Sequence, residues 1–575
     1  MEHNPDRRDE EFELRFPQAN ISPVKALGRI IRKTIGPQTT DVMVFNHPES
    51  NIEGDPLSPV DADIIVTNDG ATLLEELPIE HPVAPILARL AGPKQPGDSD
   101  IEGSQITDGI STSVALTEAL LVEAESLIEQ GVHPKDIELG YALARERVVE
   151  LLNEWSISRD RSERWEAELH AVARTAMTGN RIGGNLSTWA EYAVEAHDLI
   201  GYPTPETFVT REIRDGHLNE SRLVRGAVLD RSEPTHDEMP SKVTDANVAV
   251  FSGTKQGGLT VQDVPNNWRT TLDSVADLRK FEDAEQKRRL NMVEQLQSYD
   301  VDVVVAQQGI DAEYQSLLAD KGILGIRGVT KLDLSQVSLA TGATKVLKTD
   351  ALSRSDIGHA GVVSVEQIEP RKNRRSNRRM VVFDDCPDPG SVTMLFRGVT
   401  SHLGPQASTS VRKAVAATAA ASGASGHTSG MIPGGANPEI RVSEELQTAA
   451  LELDNRVQLA IQGYADAVER MVRTLVENAG LDPFEMLPDL KATIATESDS
   501  AGILLPSGRI TSMRSEGVVD PVSVRIDAYK KATEVASLVI SIDDAIDAEL
   551  SDDGLSKGDA IYDDVAERHE DNSTD

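Results

Sequence analysis

Apolar residues recur at helical spacing toward both ends of the chain and at strand spacing through its middle. In LTEALLVEAESLIEQG, Leu116, Leu120, Leu121, Leu127 and Ile128 fall on one stripe, and Gly131 follows as a C-cap signal. DIELGYALARERVVELL is a second amphipathic helix. In NRVQLAIQGYADAVERMVRTLVENAG, Val457, Ile461, Tyr464, Val468, Met471 and Leu475 share a face. ADIIVTNDGATLL reads as a short strand, a turn at Asn68-Asp69-Gly70 and a helix. Residues 156–220 read as charged and less regular. From 221 to 370, short β-rich runs (RLVRGAVLD, NVAVFSG, VDVVVAQQGI, GILGIRGV, ATKVL) alternate with helical patterns such as FEDAEQKRRLNMVEQLQ. That alternation predicts an α/β domain with mixed or parallel pairing. Helices at both ends around a different middle predict nesting, with one domain formed from both termini. The basic run RKNRRSNRRM at 371–380 reads as a solvated loop or hairpin.

Length and charge narrow the picture. A chain of 575 residues exceeds one core and predicts about two to four domains. It carries 95 acidic and 57 basic residues, a net charge of −38. So acidic a surface argues against nucleic acid and against acidic substrates as partners. It suits a halophilic cytosol, where salt screens self-repulsion over about 8 Å or less. The single cysteine, Cys386, excludes a disulfide framework within the chain and is read as a buried or turn thiol. No apolar run approaches the roughly 20 residues of a membrane span, and MEHNPDRRDEEFELRF holds no signal-peptide core. The expectation is a soluble, cytoplasmic protein with no membrane partner. Residues 551–575 hold nine acidic and two basic residues and are expected to be disordered.

Candidate chemistry gathers in glycine-containing loops. ITDGISTSVAL sets Asp108 and Gly109 before the hydroxyls of Ser111 and Thr112 and then a helix. TIGPQTT offers Gly36 and Pro37, TNDGAT offers Asp69, and IPGGANPE offers Gly434 and Gly435. Glycine lets a backbone approach phosphate closely, and the N–H groups at a helix start favour an anion. An aspartate among phosphates holds Mg²⁺, which keeps most of its waters. Each loop alone is a common turn, and no GxxxxGK[ST] is present.

The order of these blocks resembles the group II chaperonins, the thermosome and cytosolic chaperonin type. IIVTNDGATLLEELPIEHPVAPILARLA, HPKDIELGYALARERVVELL, IPGGANPEI and VENAGLDPFEML are similar to the equatorial segments of that family. RLVRGAVLD, KGILGIRGV and ATGATKVL are similar to its apical domain, and DDCPDPGSVTMLFRG to its returning intermediate strands. The resemblance runs from about residue 20 to 550. It implies a multidomain α/β fold: a mostly helical equatorial domain (21–155 and 411–550), a small intermediate hinge domain (156–220 and 371–410) and an α/β apical domain (221–370). Residues 1–20, polar in sequence, are expected to be a mobile N-terminus. A helical lid protrusion falls at 263–281, with Trp268, Leu272, Val275 and Leu278 as an apolar stripe. The implied activity is ATP-dependent folding of unfolded client proteins in a double ring of like or related subunits. The implied site residues are Gly36, Pro37, Gly109, Ser111, Thr112, Gly434 and Gly435 for nucleotide, Asp108 for Mg²⁺ and Asp69 for positioning water.

Several positions depart from the family pattern. Thr107 and Ile110 interrupt its GDGTT motif, Gln38 and Thr39 replace a Lys and a Gly, and Ala436 replaces the last glycine of PGGG. Asn180 stands where the family has a γ-phosphate-sensing lysine, with Arg181 beside it. Leu504 stands where an aspartate meets the nucleoside. Insertions at about 45–62 and 91–105 flank the site. The largest departure concerns the intermediate-domain aspartate that positions the attacking water. Counting back from PGGAN puts Ala417 there; counting forward from LFRG puts Lys413 there. Either way, Pro389 to Pro438 contains no Asp or Glu. Losing such a group costs roughly 10²–10⁴-fold in rate. The expectation is weakened Mg-ATP binding and impaired hydrolysis. The alternatives are a non-hydrolysing structural or client-binding ring subunit, and an unrelated enzyme on the same scaffold.

Overall fold

A computed structural model of the chain describes residues 16–46, 63–76, 86–87, 90, 109–179, 182–230, 234–253, 275–307, 309–347, 351–368, 378–400, 403–453, 455–496 and 499–542. The first stretch gives helix α1 (Phe16–Ile31), the antiparallel hairpin β1 (Val42–Asn46) and β2 (Asp63–Thr67), and helices α2 (Gly70–Glu76), α3 (Ile110–Glu129) and α4 (Pro134–Trp155). Helices α5 (Trp165–Met177) and α6 (Leu186–Ile200) and strands β3 (Phe208–Ile213) and β4 (Arg222–Val224) follow. The middle of the chain runs β5 (Val228–Asp230), β6 (Lys242–Phe251), α7 (Val275–Ser298), β7 (Val303–Ala306), α8 (Ala312–Asp320), β8 (Leu324–Ile326), α9 (Lys331–Thr341), β9 (Lys345–Val346), β10 (Gly358–Ile368) and β11 (Arg378–Asp384). The return runs β12 (Val392–Arg397), α10 (Leu403–Ser422), β13 (Met431–Pro433), α11 (Asn437–Ala450), α12 (Val457–Asn478) and α13 (Pro483–Thr496). It closes with β14 (Ala501–Leu504), β15 (Arg509–Ser512), α14 (Met513–Glu516), β16 (Val519–Pro521) and α15 (Val522–Ser541).

Three large hydrophobic cores, with smaller clusters between and beside them, organise these elements. The first joins α1–α4 to α11, α12 and α15, so it is built from residues far apart in sequence. The α12 stripe supplies Val457, Ile461, Tyr464 and Val468, and the α3 stripe supplies Leu116, Leu120 and Leu121. Tyr141 meets Tyr464 edge-on, with ring centroids 5.5 Å apart. The Tyr141 hydroxyl donates to Leu120 O at 2.7 Å, so a fully buried polar tip is satisfied.

The second core lies in the middle of the chain around a seven-stranded sheet in the order β5-β11-β10-β6-β7-β8, with β9 also paired to β6. Pairs β6–β7, β7–β8 and β6–β9 are parallel; pairs β5–β11, β11–β10 and β10–β6 are antiparallel. The sheet is therefore mixed, with α7, α8 and α9 as crossovers on its parallel side. The last residues of the basic run, from Arg378, pair with β10, Ile368 opposite Arg378, and Met380 is fully buried in β11. Cys386 is buried in this core. Burial, aided by Asp384 and Asp385, pushes its thiol up to about 12.

The third core joins α5, α6 and α10 to the three-stranded sheet β3-β12-β4. Its helices replace the irregular stretch expected at 156–220. Trp165, Leu169, Val172, Ala173 and Met177 keep a helical stripe on α5, diluted in sequence by charged neighbours. Helix α10 spans the boundary expected at 411, and its buried residues Ala407, Val411, Ala414 and Ala417 all pack in this third core. The chain passes between the third and second cores twice, at 225–227 and at 385–391. Most of the expected protrusion, including Trp268 and Leu272, lies outside the described residues, as do 1–15, the cores of both insertions and 551–575. Among the described residues, no helix is long and apolar enough to cross a membrane.

Candidate functional site

A cavity of about 490 Å³ opens where the first and third cores meet. Its floor starts with the turn after α1. Gly36 has φ +94°, and a Cβ there would stand 2.6 Å from Leu475 Cδ1, so both backbone and space favour glycine. Asn478 Nδ2 donates to Arg32 O at 2.8 Å and Ile35 O at 3.0 Å, which pins this turn to the end of α12. Thr34 Oγ1 lies 3.2 Å from Ser111 Oγ, which joins the turn to the start of α3.

Helix α3 begins at the cavity. Gly109 is its N-cap at φ +83°, and Ile110, Ser111 and Thr112, its first turn, line the wall. The leading N–H groups of a helix have no partners within it, and they carry the positive end of its dipole. Gly70 packs directly on this turn: a Cβ there would stand 2.5 Å from Ser111 Oγ.

Asp69 sits between β2 and α2. Its Oδ2 accepts from the Thr72 N–H at 3.1 Å and the Thr72 hydroxyl at 3.0 Å, so the carboxylate caps α2. Neighbouring Asn68 donates to Thr39 Oγ1 at 2.9 Å and Gly179 O at 3.2 Å, tying three loops together. The other oxygen, Oδ1, is ion-paired to the Lys413 ammonium from α10. Both side chains are mostly buried, 16% and 15% exposed. Burial works to raise the Asp69 pKa; the Lys413 charge and the bonds from Lys413 and Thr72 outweigh it and hold the carboxyl below its ordinary value.

The opposite wall comes from the return of the chain. Gly435 lines the cavity, and its carbonyl accepts from Ile503 N–H at 2.8 Å. Leu504, Leu505 and Val472 make an apolar patch. Arg525 bridges Glu439 Oε1 at 2.7 Å and Asp520 Oδ2 at 2.5 Å. Burial alone works to lower the Arg525 pKa; the two carboxylates overcome it and hold the guanidinium charged.

The structure thus brings together Gly36, Pro37, Asp69, Gly109, Ser111, Thr112 and Gly435. Gly434 stands behind the wall, its N–H donating to Val518 O at 2.9 Å. Asp108, Thr107, Asn180 and Arg181 lie outside the described residues. Of the two positions left open on α10, Lys413 reaches the cavity, whereas Ala417 is fully buried in the third core. Sequence reasoning missed Asn68, Glu439, Asp520 and Arg525. A buried Arg with carboxylates 5 and 86 positions away leaves no local signal.

Residues 27–549 match the TCP-1/cpn60 chaperonin family. The chain belongs to this family. It is 33% identical over 540 residues to a thermosome subunit of Methanopyrus kandleri, covering 92% of each chain. It is 32% identical to a thermosome subunit beta of Archaeoglobus fulgidus, covering 94% of this chain and 92% of that one. It is also 32% identical to a thermosome subunit alpha of Halobacterium salinarum, covering 92% of this chain and 88% of that one. As a group II chaperonin subunit it assists protein folding within an oligomeric ring. The α/β multidomain fold expected from its sequence is the one the family carries. Chaperonins are in general ATP-dependent, which turns attention to what this cavity can hold and do.

Proposed function

We propose that this chaperonin subunit binds Mg-ATP in the cavity and retains it with little hydrolysis, working on unfolded client proteins in a cytoplasmic ring with like or related subunits. The acidic composition suits a salt-rich cytosol. Glycine-bearing turns at 36 and 109, hydroxyls at 111 and 112, and the start of α3 make a cradle of donors for phosphate oxygens. The patch of Leu504, Leu505 and Val472 suits a nucleoside base. The residues present therefore fit an anionic nucleotide, with Asp108 assigned to the metal. When bound, Mg²⁺ neutralises phosphate charge and orients the phosphate oxygens.

One observation carries the case against turnover: Lys413 sits against Asp69. An ammonium has three donors and no acceptor, so it cannot take a proton from water. Asp69 has one oxygen engaged by Lys413 and the other by Thr72. Lys413 cannot act as general base, and Asp69, with three accepted bonds and its basicity lowered by Lys413, is a poor one, which removes much of the roughly 10²–10⁴-fold a general base contributes. The test is phosphate release with Mg-ATP at high salt, beside a nucleotide-binding titration. Binding with release at least roughly 10²-fold below a hydrolysing thermosome supports the reading. Turnover at a comparable rate overturns it, and no binding leaves a purely structural or client-binding subunit.

A further inference from the structure

The Lys413–Asp69 pair lines the cavity, and Gly70, next to Asp69, packs on Ser111 at the start of α3. Asp69 is fixed, because Thr72 holds its second oxygen at the head of α2. Lys413 is the adaptable partner: four methylenes carry its charge, and Asp69 occupies one of its three N–H donors. Helix α10 is also fastened nearby. Gln406, two turns before Lys413 on the same helix face, donates to Val66 O in β2 at 3.3 Å. Residues 406 and 413 thus seat a third-core helix on the β2–α2 segment of the first core.

We propose that Lys413 selects the triphosphate. Its ammonium bridges Asp69 and the terminal phosphate of the bound nucleotide, so the third core is clamped to the first through a phosphate that a diphosphate lacks. The inference rests on the nucleotide reading above. A cation here also cancels the repulsion that Asp69 alone would exert on a terminal phosphate. The charge that prevents water activation becomes the charge that retains the triphosphate, and this suits a subunit that gates on nucleotide without consuming it.

The experiment is a binding titration of the full chain with Mg-ADP and with a non-hydrolysable Mg-triphosphate analogue, for wild type, Lys413→Ala and Lys413→Arg. Wild type should prefer the triphosphate. Lys413→Ala should lose roughly tenfold or more in triphosphate affinity while diphosphate affinity changes less than about twofold. Lys413→Arg should keep most of the preference, which shows that charge and not packing is read. Equal losses for both nucleotides in Lys413→Ala, or no loss of preference, would overturn the proposal while leaving nucleotide binding intact. Failure of the wild type to bind either nucleotide would sink the nucleotide reading, and this inference with it.

Discussion

Arg525 donates to Glu439 at 2.7 Å, a mostly buried ion pair in the cavity wall that joins α15 to α11. Removing the guanidinium would leave the Glu439 carboxylate, 7% exposed, and the less buried Asp520 carboxylate without their cation. Arg525→Ala should therefore destabilise the chain by about 1–3 kcal/mol. Asp520→Asn should cost less, because Glu439 still pairs the arginine. Urea unfolding at fixed protein and salt concentration separates the two, and equal costs would contradict the arrangement.

Position 413 offers a gain-of-function test. Lys413→Asp puts a carboxylate on α10 facing Asp69, whose Oδ1 is then released. Phosphate release should rise at least roughly tenfold, within the 10²–10⁴-fold span of a general base. Lys413→Ala frees Asp69 but adds no second carboxylate, so it should rise less. A Lys413→Asp variant that binds nucleotide yet turns over no faster would show that the rate limit lies elsewhere, for instance at Ile110.

How much of this was legible beforehand follows from the range of each interaction. Helices α3 and α12 were plain because their apolar residues repeat at 3.6 over five turns or more. Helix α5 was not, because charged residues interleave its stripe and only its packing on α10 and α6 reveals which face is inward. The glycine turns were visible because positive φ is a local demand. Lys413 against Ala417 could not be decided by counting: the two stand one helical turn apart on the same side of α10, and only packing against β2 and α2 fixes the register. The Glu439–Arg525–Asp520 set was invisible because its logic is purely tertiary.

The Tyr464 hydroxyl lies 2.8 Å from Thr533 Oγ1, at full burial, linking α12 to α15. Tyr464→Phe removes the hydroxyl and should cost about 1 kcal/mol. Tyr464→Ala also removes the ring that meets Tyr141 and should cost about 3–5 kcal/mol. Chemical denaturation of both variants checks the ratio. A phenylalanine as costly as alanine would mean that the hydrogen bond, and not the packing, holds this layer.

Acid should act on the Lys413–Asp69 tie in a defined direction. The native Asp69 carboxyl titrates below its unfolded value of 3.8. A carboxyl depressed in the native state adds stability that is fully present above the unfolded value and is lost as pH falls through the lower, native one. Wild type should therefore exceed Asp69→Asn in unfolding midpoint by a constant margin from neutral pH down to about pH 5, well above that 3.8. The margin should then shrink as the solution is acidified further, because both proteins then carry an uncharged group beside Lys413. High salt should narrow the margin only modestly, since both partners are mostly buried and screened little. A margin that grew on acidification would mean that the Asp69 carboxyl is raised in the folded chain, and that burial rather than Lys413 governs it.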